Sequence, residues 1–209
     1  MQASLLIIAC GAIARELVQI QKLNGWDHIE FQCLPAELHN TPDRIPAAVE
    51  AMIESMQAKY EGIFVAYADC GTGGLLDAML ERYGIQRLPG AHCYEFYAGS
   101  ETFMRLAGQE PGRFYLTDFL VHSFDRLVKE GLGIERHPEL LSQYFGNYRR
   151  VVYLAQSDSE QLQRKARAHA EYLGLEYEYR YCGLDPLNRA LAVNITEDLR
   201  GKTDHHILA

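Results

Sequence analysis

The sequence lacks an apolar run long enough to cross a membrane. The run near the N-terminus, Leu5 to Ala9, is also too short for the hydrophobic region of a signal peptide, and no basic segment precedes it. A short apolar run of this kind is typical of a buried strand. We therefore expect a soluble, cytoplasmic protein that has no membrane partner.

Positive charge is scarce as well. The chain has 20 Lys and Arg residues against 28 Asp and Glu residues, which gives a formal net charge of −8. A surface that follows the phosphates of a nucleic acid needs clustered Lys and Arg side chains, and the sequence shows no such stripe. This charge pattern argues against DNA or RNA as a partner.

Paired cysteine motifs are missing. The five cysteines include no Cys-x-x-Cys spacing, so the logic of a zinc ribbon does not apply, and an odd number of thiols cannot all form disulfides. Disulfides are rare in cytoplasmic proteins, so three roles are possible for these cysteines: reduced thiols, metal ligands or residues of the core. We interpret Cys33 and Cys182, which lie in or beside apolar or aromatic segments, as buried core thiols.

Three segments share one pattern, which is a short apolar run, a turn that is polar or rich in glycine, and a helical stretch. Apolar runs without alternation are typical of strands covered on both faces of a parallel sheet. The pattern predicts an α/β fold with a mostly parallel sheet built from strand–turn–helix repeats. The predicted strands begin near Leu5, Ile29, Ile63 and Val151.

The spacing of apolar residues also predicts how the rest of the chain is organised. Near residues 100–148 the pattern becomes helical, which predicts a helical insert. We expect one α/β domain over residues 1–195. Residues 196–209 form a C-terminal tail that is either mobile or crosses to a partner subunit of a homo-oligomer.

Two cysteines occupy equivalent positions in the repeats. Cys10 and Cys70 each follow a strand, precede a glycine and stand at the predicted first turn of a helix. Ligands of open α/β sheets bind outside the carboxyl ends of the strands. A helix N-terminus favours the thiolate form of a cysteine, which attacks electrophiles or binds metals. We therefore expect both thiols to lie at one functional edge of the sheet.

Further candidates lie in neighbouring loops. His39 follows the second strand, and His92, Cys93 and Glu95 follow the short strand-like pair Arg87-Leu88. If these loops meet, four side chains form a ligand set for Zn²⁺ or an iron–sulfur centre, namely Cys10, Cys70, Cys93 and His39. His92 and Glu95 would then orient the ligands or transfer protons.

The glycine-rich turn after Cys70 has two interpretations. The backbone amides of Gly71, Thr72, Gly73 and Gly74 could cradle a small anionic group of a substrate or cofactor. No Lys-Ser/Thr pair follows them, which excludes a P-loop. Alternatively, the glycines allow close packing of helix against strand.

The sequence resembles the family catalogued as domain of unknown function 1638. The resemblance is carried by Leu6 to Glu16, Leu38-His39-Asn40, Tyr67 to Gly74, Gly90 to Glu95, Tyr115 to Phe119 and Tyr144 to Tyr148. It extends over nearly the whole chain and omits roughly the last fifteen residues. It implies a bacterial or archaeal cytosolic protein that accompanies corrinoid-dependent methyl transfer, and it assigns no reaction or catalytic residue.

These observations support three hypotheses. The first is a metalloenzyme or metal-dependent accessory protein of one-carbon metabolism, with a small-molecule or anionic substrate and a corrinoid protein or methyltransferase as partner. The second is a module that binds a corrinoid or haem, with His39 or His92 as axial ligand. The third is a metal-free thiol enzyme, with Cys70 as nucleophile and His92 as base. The sequence leaves open whether the protein is an enzyme.

Overall fold

The structure is a computed structural model that describes residues 4–109 and 112–195. The chain divides into two compact units. Unit 1 contains the described residues up to Cys93 and from Leu187 onward, and unit 2 is Tyr94–Pro186. The predicted tail, residues 196–209, lies outside the described residues.

Unit 1 is built on a sheet of three parallel strands in the order β2-β1-β3, which are β1 (Leu5–Cys10), β2 (Ile29–Leu34) and β3 (Gly62–Ala66). The strands β1 and β3 are buried along their whole length, as expected for apolar runs without alternation. The strand β2 lies at an edge of this sheet, and Cys33 on it is exposed. The prediction that Cys33 is a core thiol was therefore wrong.

The helices of unit 1 place their apolar positions in the core, as the periodicity predicted. Each buries two or three apolar side chains, for example Leu17 and Ile20 in the first helix. These helices are α1 (Ala14–Asn24), α2 (Ile45–Met56) and α3 (Leu75–Glu81). Residues 187–195 of the unit are also helical, and Leu187, Leu191 and Ile195 are buried.

Unit 2 contains a second sheet of three parallel strands, in the order β4-β5-β6, which are β4 (Arg113–Leu116), β5 (Arg150–Ala155) and β6 (Glu176–Tyr181). The strand β4 corrects the prediction of a wholly helical insert, because it lies within residues 100–148. Leu116 ends β4, and Thr117 caps the next helix. Cys182, just after the edge strand β6, is only partly buried, so its assignment to the core was also wrong.

Helices cover the sheet of unit 2. A continuous core joins the sheet to α6 and α8 through residues such as Phe124, Tyr153 and Ala166. The helices are α4 (Tyr94–Ala98), α5 (Ser100–Gln109), α6 (Asp118–Phe124), α7 (Leu140–Phe145) and α8 (Glu160–Leu173), and a π-helical turn (Asp125–Glu130) extends α6. Within the described ranges, no helix combines the length and apolar character needed to span a bilayer.

Candidate functional site

Three thiols gather at the carboxyl ends of the adjacent strands β1 and β3. Cys10 is the last residue of β1, and Cys70 follows the end of β3 after a short extended segment. Cys93 comes from a loop that is fixed to this segment by the backbone. The Cys70 N–H group donates to the carbonyl of Ala91 at 2.9 Å. The predicted convergence of Cys70 and Cys93 is thereby explained by main-chain pairing.

The sulfurs of Cys70 and Cys93 are in direct contact. Their Sγ atoms lie 3.0 Å apart, which is about 1 Å longer than a disulfide bond. Both cysteines are free, as is Cys10, which is 7% exposed. Cys10 is near enough for the charge of Cys70 to contribute to the rise of its pKa. The three thiols therefore form one electrostatically connected cluster.

The environment separates the acidities of these thiols. Burial raises the pKa of the Cys10 thiol to about 11, although its Sγ accepts a hydrogen bond from the Ala12 N–H group at 3.4 Å. The hydrogen bond from Cys93 lowers the pKa of Cys70, and the same bond together with burial raises the pKa of Cys93. The first proton of the pair is lost at a lower pH than from an isolated thiol, because the remaining S–H group stabilises the thiolate. The second proton is lost at a higher pH.

The predicted source of thiolate stabilisation was wrong. The helix α3 begins at Leu75, five residues after Cys70, so this thiol does not stand in the first turn of a helix. Cys10 does cap a short 3-10 turn, but burial outweighs that contact and moves its pKa upward. Cys93, which sequence reasoning did not pair with Cys70 as a proton partner, supplies the stabilisation instead.

The carboxylate of Asp69 organises the glycine-rich turn. It accepts hydrogen bonds from the N–H groups of Gly71, Gly73 and Gly74 at 3.2, 3.2 and 2.8 Å and from the Thr72 hydroxyl at 2.7 Å. These bonds, led by that from Gly74, lower the pKa of Asp69 to about 2. An external anion could reach these amides only by displacing Asp69.

Glycine is required in this turn by backbone conformation. Gly71, Gly73 and Gly74 have φ values of 86°, 62° and 84°, and a Cβ atom on Gly73 or Gly74 would meet nothing within 4 Å. Close packing against a strand therefore does not account for these two residues. Cys70, at φ 50°, is the one non-glycine residue of the described chain with positive φ. Such a conformation costs on the order of 1 kcal/mol and is typical of functional positions.

Tyr67 is a site residue that sequence reasoning missed. It is 2% exposed, and its hydroxyl is buried without a hydrogen-bond partner. Burial raises the pKa of Tyr67, and the neighbouring thiols of Cys10, Cys93 and Cys70 raise it further. The hydroxyl is close enough to Cys10 for an electrostatic interaction but makes no hydrogen bond of ordinary geometry. The sequence did contain a signal for this residue, because Tyr67 places a hydroxyl group in a buried apolar run three positions before Cys70.

The predicted histidines lie on the surface of unit 1. His39 is in a 3-10 turn (Ala36–Asn40), and both His39 and His92 are exposed. Partial loss of hydration lowers the pKa of His39, and repulsion by His92 lowers it further, so the two imidazoles are neighbours. Glu95 belongs to α4 of unit 2 and is half-buried. In the part of the chain that is described, no three Cys, His, Asp or Glu side chains are arranged to hold a metal ion as they stand.

Comparison with known proteins identifies the family. Residues 33–191 match the family described as "Protein of unknown function (DUF1638)". The match includes His39, Cys70 and Cys93, whereas the segment around Cys10, which was expected to share the resemblance, lies outside it. Neither the curated proteins nor the solved structures include a match to the chain. The match extends over more than half of the chain, and the protein belongs to the DUF1638 family.

Proposed function

We propose that unit 1 binds one thiophilic metal ion through Cys10, Cys70 and Cys93. Thiolates select soft or borderline ions, and Zn²⁺ is the one that such ligands hold most commonly in tetrahedral sites. The observation that carries the proposal is the 3.0 Å contact between the sulfurs of Cys70 and Cys93, beside a third buried thiol.

The sulfur separation favours a single ion over a cluster. Two thiolates on one tetrahedral Zn²⁺, each at 2.3 Å, lie about 3.8 Å apart. Cys70 and Cys93 would have to separate only slightly from 3.0 Å to meet that requirement. Cysteines that bind different irons of an iron–sulfur cluster lie farther apart than two ligands of one ion.

Three thiolates around a divalent ion leave one coordination position for a further ligand. An ion in such an open site can deprotonate a bound thiol or polarise a substrate oxygen. This chemistry fits a metalloenzyme or an accessory protein of one-carbon metabolism, in which a thiol accepts or passes on a methyl group. His39 is the alternative fourth ligand within unit 1.

Metal analysis of anaerobically purified protein tests the proposal. We expect one equivalent of metal in the wild type and its loss in Cys10→Ala, Cys70→Ala and Cys93→Ala. The matched controls are Cys33→Ala and Cys182→Ala, which should keep the metal, because these thiols lie on edge strands or beside them. Equal metal content in all five variants would refute the proposal.

The stability of the variants distinguishes an open site from a structural one. On removal of the ion by a chelator the free energy of unfolding should fall but the protein should stay folded, because the apolar strands β1 and β3 are buried along their whole length without any contribution from the metal. Unfolding of the chelated wild type would indicate a structural ion and would contradict an open site.

Thiol–disulfide chemistry is a second candidate function, and the short Cys70–Cys93 distance favours it as well. In this reaction the Cys70 thiolate attacks a low-molecular-weight disulfide and releases one small thiolate. Cys93 then loses its proton, attacks the Cys70 sulfur and releases the second. The product is a Cys70–Cys93 disulfide, and the two small thiols take up the protons.

The absorption spectrum separates the candidates. A colourless protein with one zinc supports the proposed centre, and brown charge-transfer absorption supports an iron–sulfur centre. A sharp tetrapyrrole band would support the corrinoid or haem module. The dithiol activity would be supported by two results together. The protein would contain no cofactor, and addition of a small disulfide would produce a Cys70–Cys93 disulfide that peptide mass analysis detects.

A further inference from the structure

The strand β6 of unit 2 has one edge that no other strand covers within the described ranges. It pairs with β5 along its whole length, and neither a proline nor a bulge interrupts it. A full-length edge of this kind is a template for a further strand. The Glu176 side chain at one end of β6 is 70% exposed, and Tyr181 at the other end is 61% exposed. A further strand can therefore reach both ends of this edge.

The hydrogen bonds to β5 show which peptide groups face the free edge. The Glu176 N–H group donates to the Arg149 carbonyl at 3.0 Å, and the Cys182 N–H group donates to the Ala155 carbonyl at 2.8 Å. Successive peptide groups of a strand alternate between its two sides, so the even-numbered residues of β6 bind β5. The residues whose N–H and C=O groups point outward are Tyr177, Tyr179 and Tyr181.

We propose that β6 pairs antiparallel with β6 of a second copy of this chain, about a two-fold axis beside Tyr179. In this register Tyr179 faces its own counterpart, and Tyr177 faces Tyr181 of the second copy. Opposed residues whose peptide groups point at each other exchange both of their hydrogen bonds, so all of these outward groups are satisfied. The contact uses the same surface on both copies, and it joins the two sheets into one continuous sheet.

The charges of β6 select this register. Glu178 lies opposite Arg180 of the second copy, and the two-fold axis repeats the same pair on its other side. A shift of the second copy by two residues would set either Glu178 or Arg180 against its own counterpart. Like charges directly opposite each other destabilise a sheet, whereas opposite charges stabilise it. The order of the two charges along β6 therefore matches its own antiparallel copy.

The arginine at this edge has room for a second carboxylate. Glu178 accepts hydrogen bonds from Arg150 at 3.0 Å and from Arg180 at 2.8 Å. Among the described residues, Arg180 pairs with this carboxylate alone, and its side chain is 52% exposed. The edge strand of unit 1 offers no such match, because Glu30 is the one charged residue of β2. Charge complementarity thus favours β6 as the paired edge.

The tyrosines on the other face of β6 add aromatic contacts between the copies. The Tyr179 ring already packs against the ring of Tyr153, with the centroids 5.8 Å apart. The exposed ring of Tyr181 would lie opposite Tyr177 of the second copy. Aromatic pairs across neighbouring strands stabilise a sheet beyond the area that they bury.

Sedimentation of the full-length protein tests the pairing. We expect a monomer–dimer equilibrium between about 1 and 100 µM protein, and salt should weaken the dimer. Arg180→Glu should be monomeric, because like charges then face each other across the axis. The matched control is Arg164→Glu on α8, where the side chain is 72% exposed, and it should dimerise like the wild type. A wild type that stays monomeric, or an Arg180→Glu variant that dimerises equally well, would overturn the inference.

Hydrogen exchange locates the interface without any substitution. In dimeric wild type the amide hydrogens of Tyr177, Tyr179 and Tyr181 should exchange slowly, and dilution to the monomer should make them exchange rapidly. Rapid exchange in a fully dimeric sample would place the interface elsewhere. Slow exchange in the monomer would show that the chain covers its own edge. Either result would refute the pairing of β6 with a second copy.

A disulfide between the copies tests the register. In this pairing Cys182 faces position 176 of the second copy, and such opposed residues have Cα atoms about 4.5 Å apart, which suits a disulfide. Within one chain the two positions lie at opposite ends of β6, roughly 20 Å apart. Glu176→Cys treated with oxidised glutathione should therefore form a dimer in which the introduced thiol is bonded to Cys182, as peptide mass analysis detects. The control with Cys182→Ser added should not form this bond. A bond between the two introduced thiols, or no bond between copies, would contradict this register.

Discussion

Units 1 and 2 share one layout but use the ends of their strands differently. Each contains three parallel strands, and in each an aspartate just after a strand collects hydrogen bonds, Asp69 in unit 1 and Asp118 in unit 2. In unit 2 the polar groups around Asp118 are satisfied by one another. In unit 1 the aspartate secures only the turn, and the thiols and Tyr67 beside it remain available.

Asp118 illustrates the satisfied arrangement. It accepts from the Tyr153 hydroxyl at 2.6 Å, from the Gln156 N–H group at 3.0 Å and from the N–H and hydroxyl groups of Ser157. The Asp118 N–H group in turn donates to the side-chain oxygen of Gln156 at 2.8 Å. A strand end of this kind joins β4 to β5 and has little capacity for a ligand. The comparison shows that an aspartate after a strand can either join two strand ends or hold a single turn.

The largest expected effect is therefore in unit 2. Asp118→Ala should lower the free energy of unfolding by about 3 kcal/mol, because it leaves several donors unpaired around a half-buried position. Denaturant unfolding measures the change. The control is Asp125→Ala, whose exposed ion pair with Lys129 is worth about 0.5 kcal/mol or less. Equal losses in the two variants would contradict the hydrogen-bond network assigned to Asp118.

Asp69→Ala in unit 1 should have a smaller effect, about 2 kcal/mol, since the turn that it holds is partly exposed. The pKa of Asp69 lies near 2 in the folded protein, below its ordinary value of 3.8. Its contribution is therefore complete above pH 3.8 and is lost as the pH falls toward 2. Asp69→Asn should flatten the pH dependence of unfolding in that window. An unchanged slope would contradict the assigned hydrogen bonds.

A weaker pH effect is expected at His169 in unit 2. Burial lowers its pKa, and the ring stacks on Phe124 at 4.0 Å while bonding the Val121 carbonyl at 3.0 Å. The unfolded chain binds this proton first, so stability should fall as the pH drops below 6.5 and level off below the folded pKa. Denaturant unfolding of His169→Phe between pH 7 and pH 5 should show a smaller decline than the wild type. An identical decline in the free energy of unfolding of both proteins would show that a group other than His169 causes the pH dependence.

The smallest effect on stability is expected at the exposed thiol. Cys33→Ser should change the free energy of unfolding by about 0.5 kcal/mol or less, because Cys33 lies at the edge of its sheet. It should also remove the most exposed thiol from metal-free protein treated with an alkylating reagent. Cys10 should react slowly, since it is 7% exposed and its pKa is about 11. Rapid alkylation of Cys10 would contradict the burial of the cluster.

Much of the fold could be predicted because Val and Ile runs identify buried parallel strands. The segments β1, β3 and β5 were found in this way. The strand β4 was missed because four half-buried residues leave too short a pattern. The division into two sheets was also missed, since periodicity within a segment contains no information on which strands pair.

The candidate site was predictable to a similar degree. Sequence register placed Cys10 and Cys70 at neighbouring strand ends, and the structure brings Cys93 into contact with Cys70. The hydrogen bond between these two thiols forms because the backbone pairs two segments that are distant in sequence, so the sequence alone could not reveal it. The unpaired hydroxyl of Tyr67 depends on the depth of a buried strand end and was equally hidden. The metal role of the thiols stays a proposal.

The carboxylate-bound turn after Cys70 gives the site a built-in reporter. Gly71 and Gly73 are exposed to solvent, yet their amides are held by Asp69. Amide hydrogens on an exposed loop usually exchange with water rapidly, whereas these should exchange only when the turn opens. Their hydrogen exchange rates therefore measure how often the chain segment that carries Cys70 opens. The measurement resolves single residues and needs no attached probe. Slower exchange on addition of a metal would register occupancy of the cluster directly.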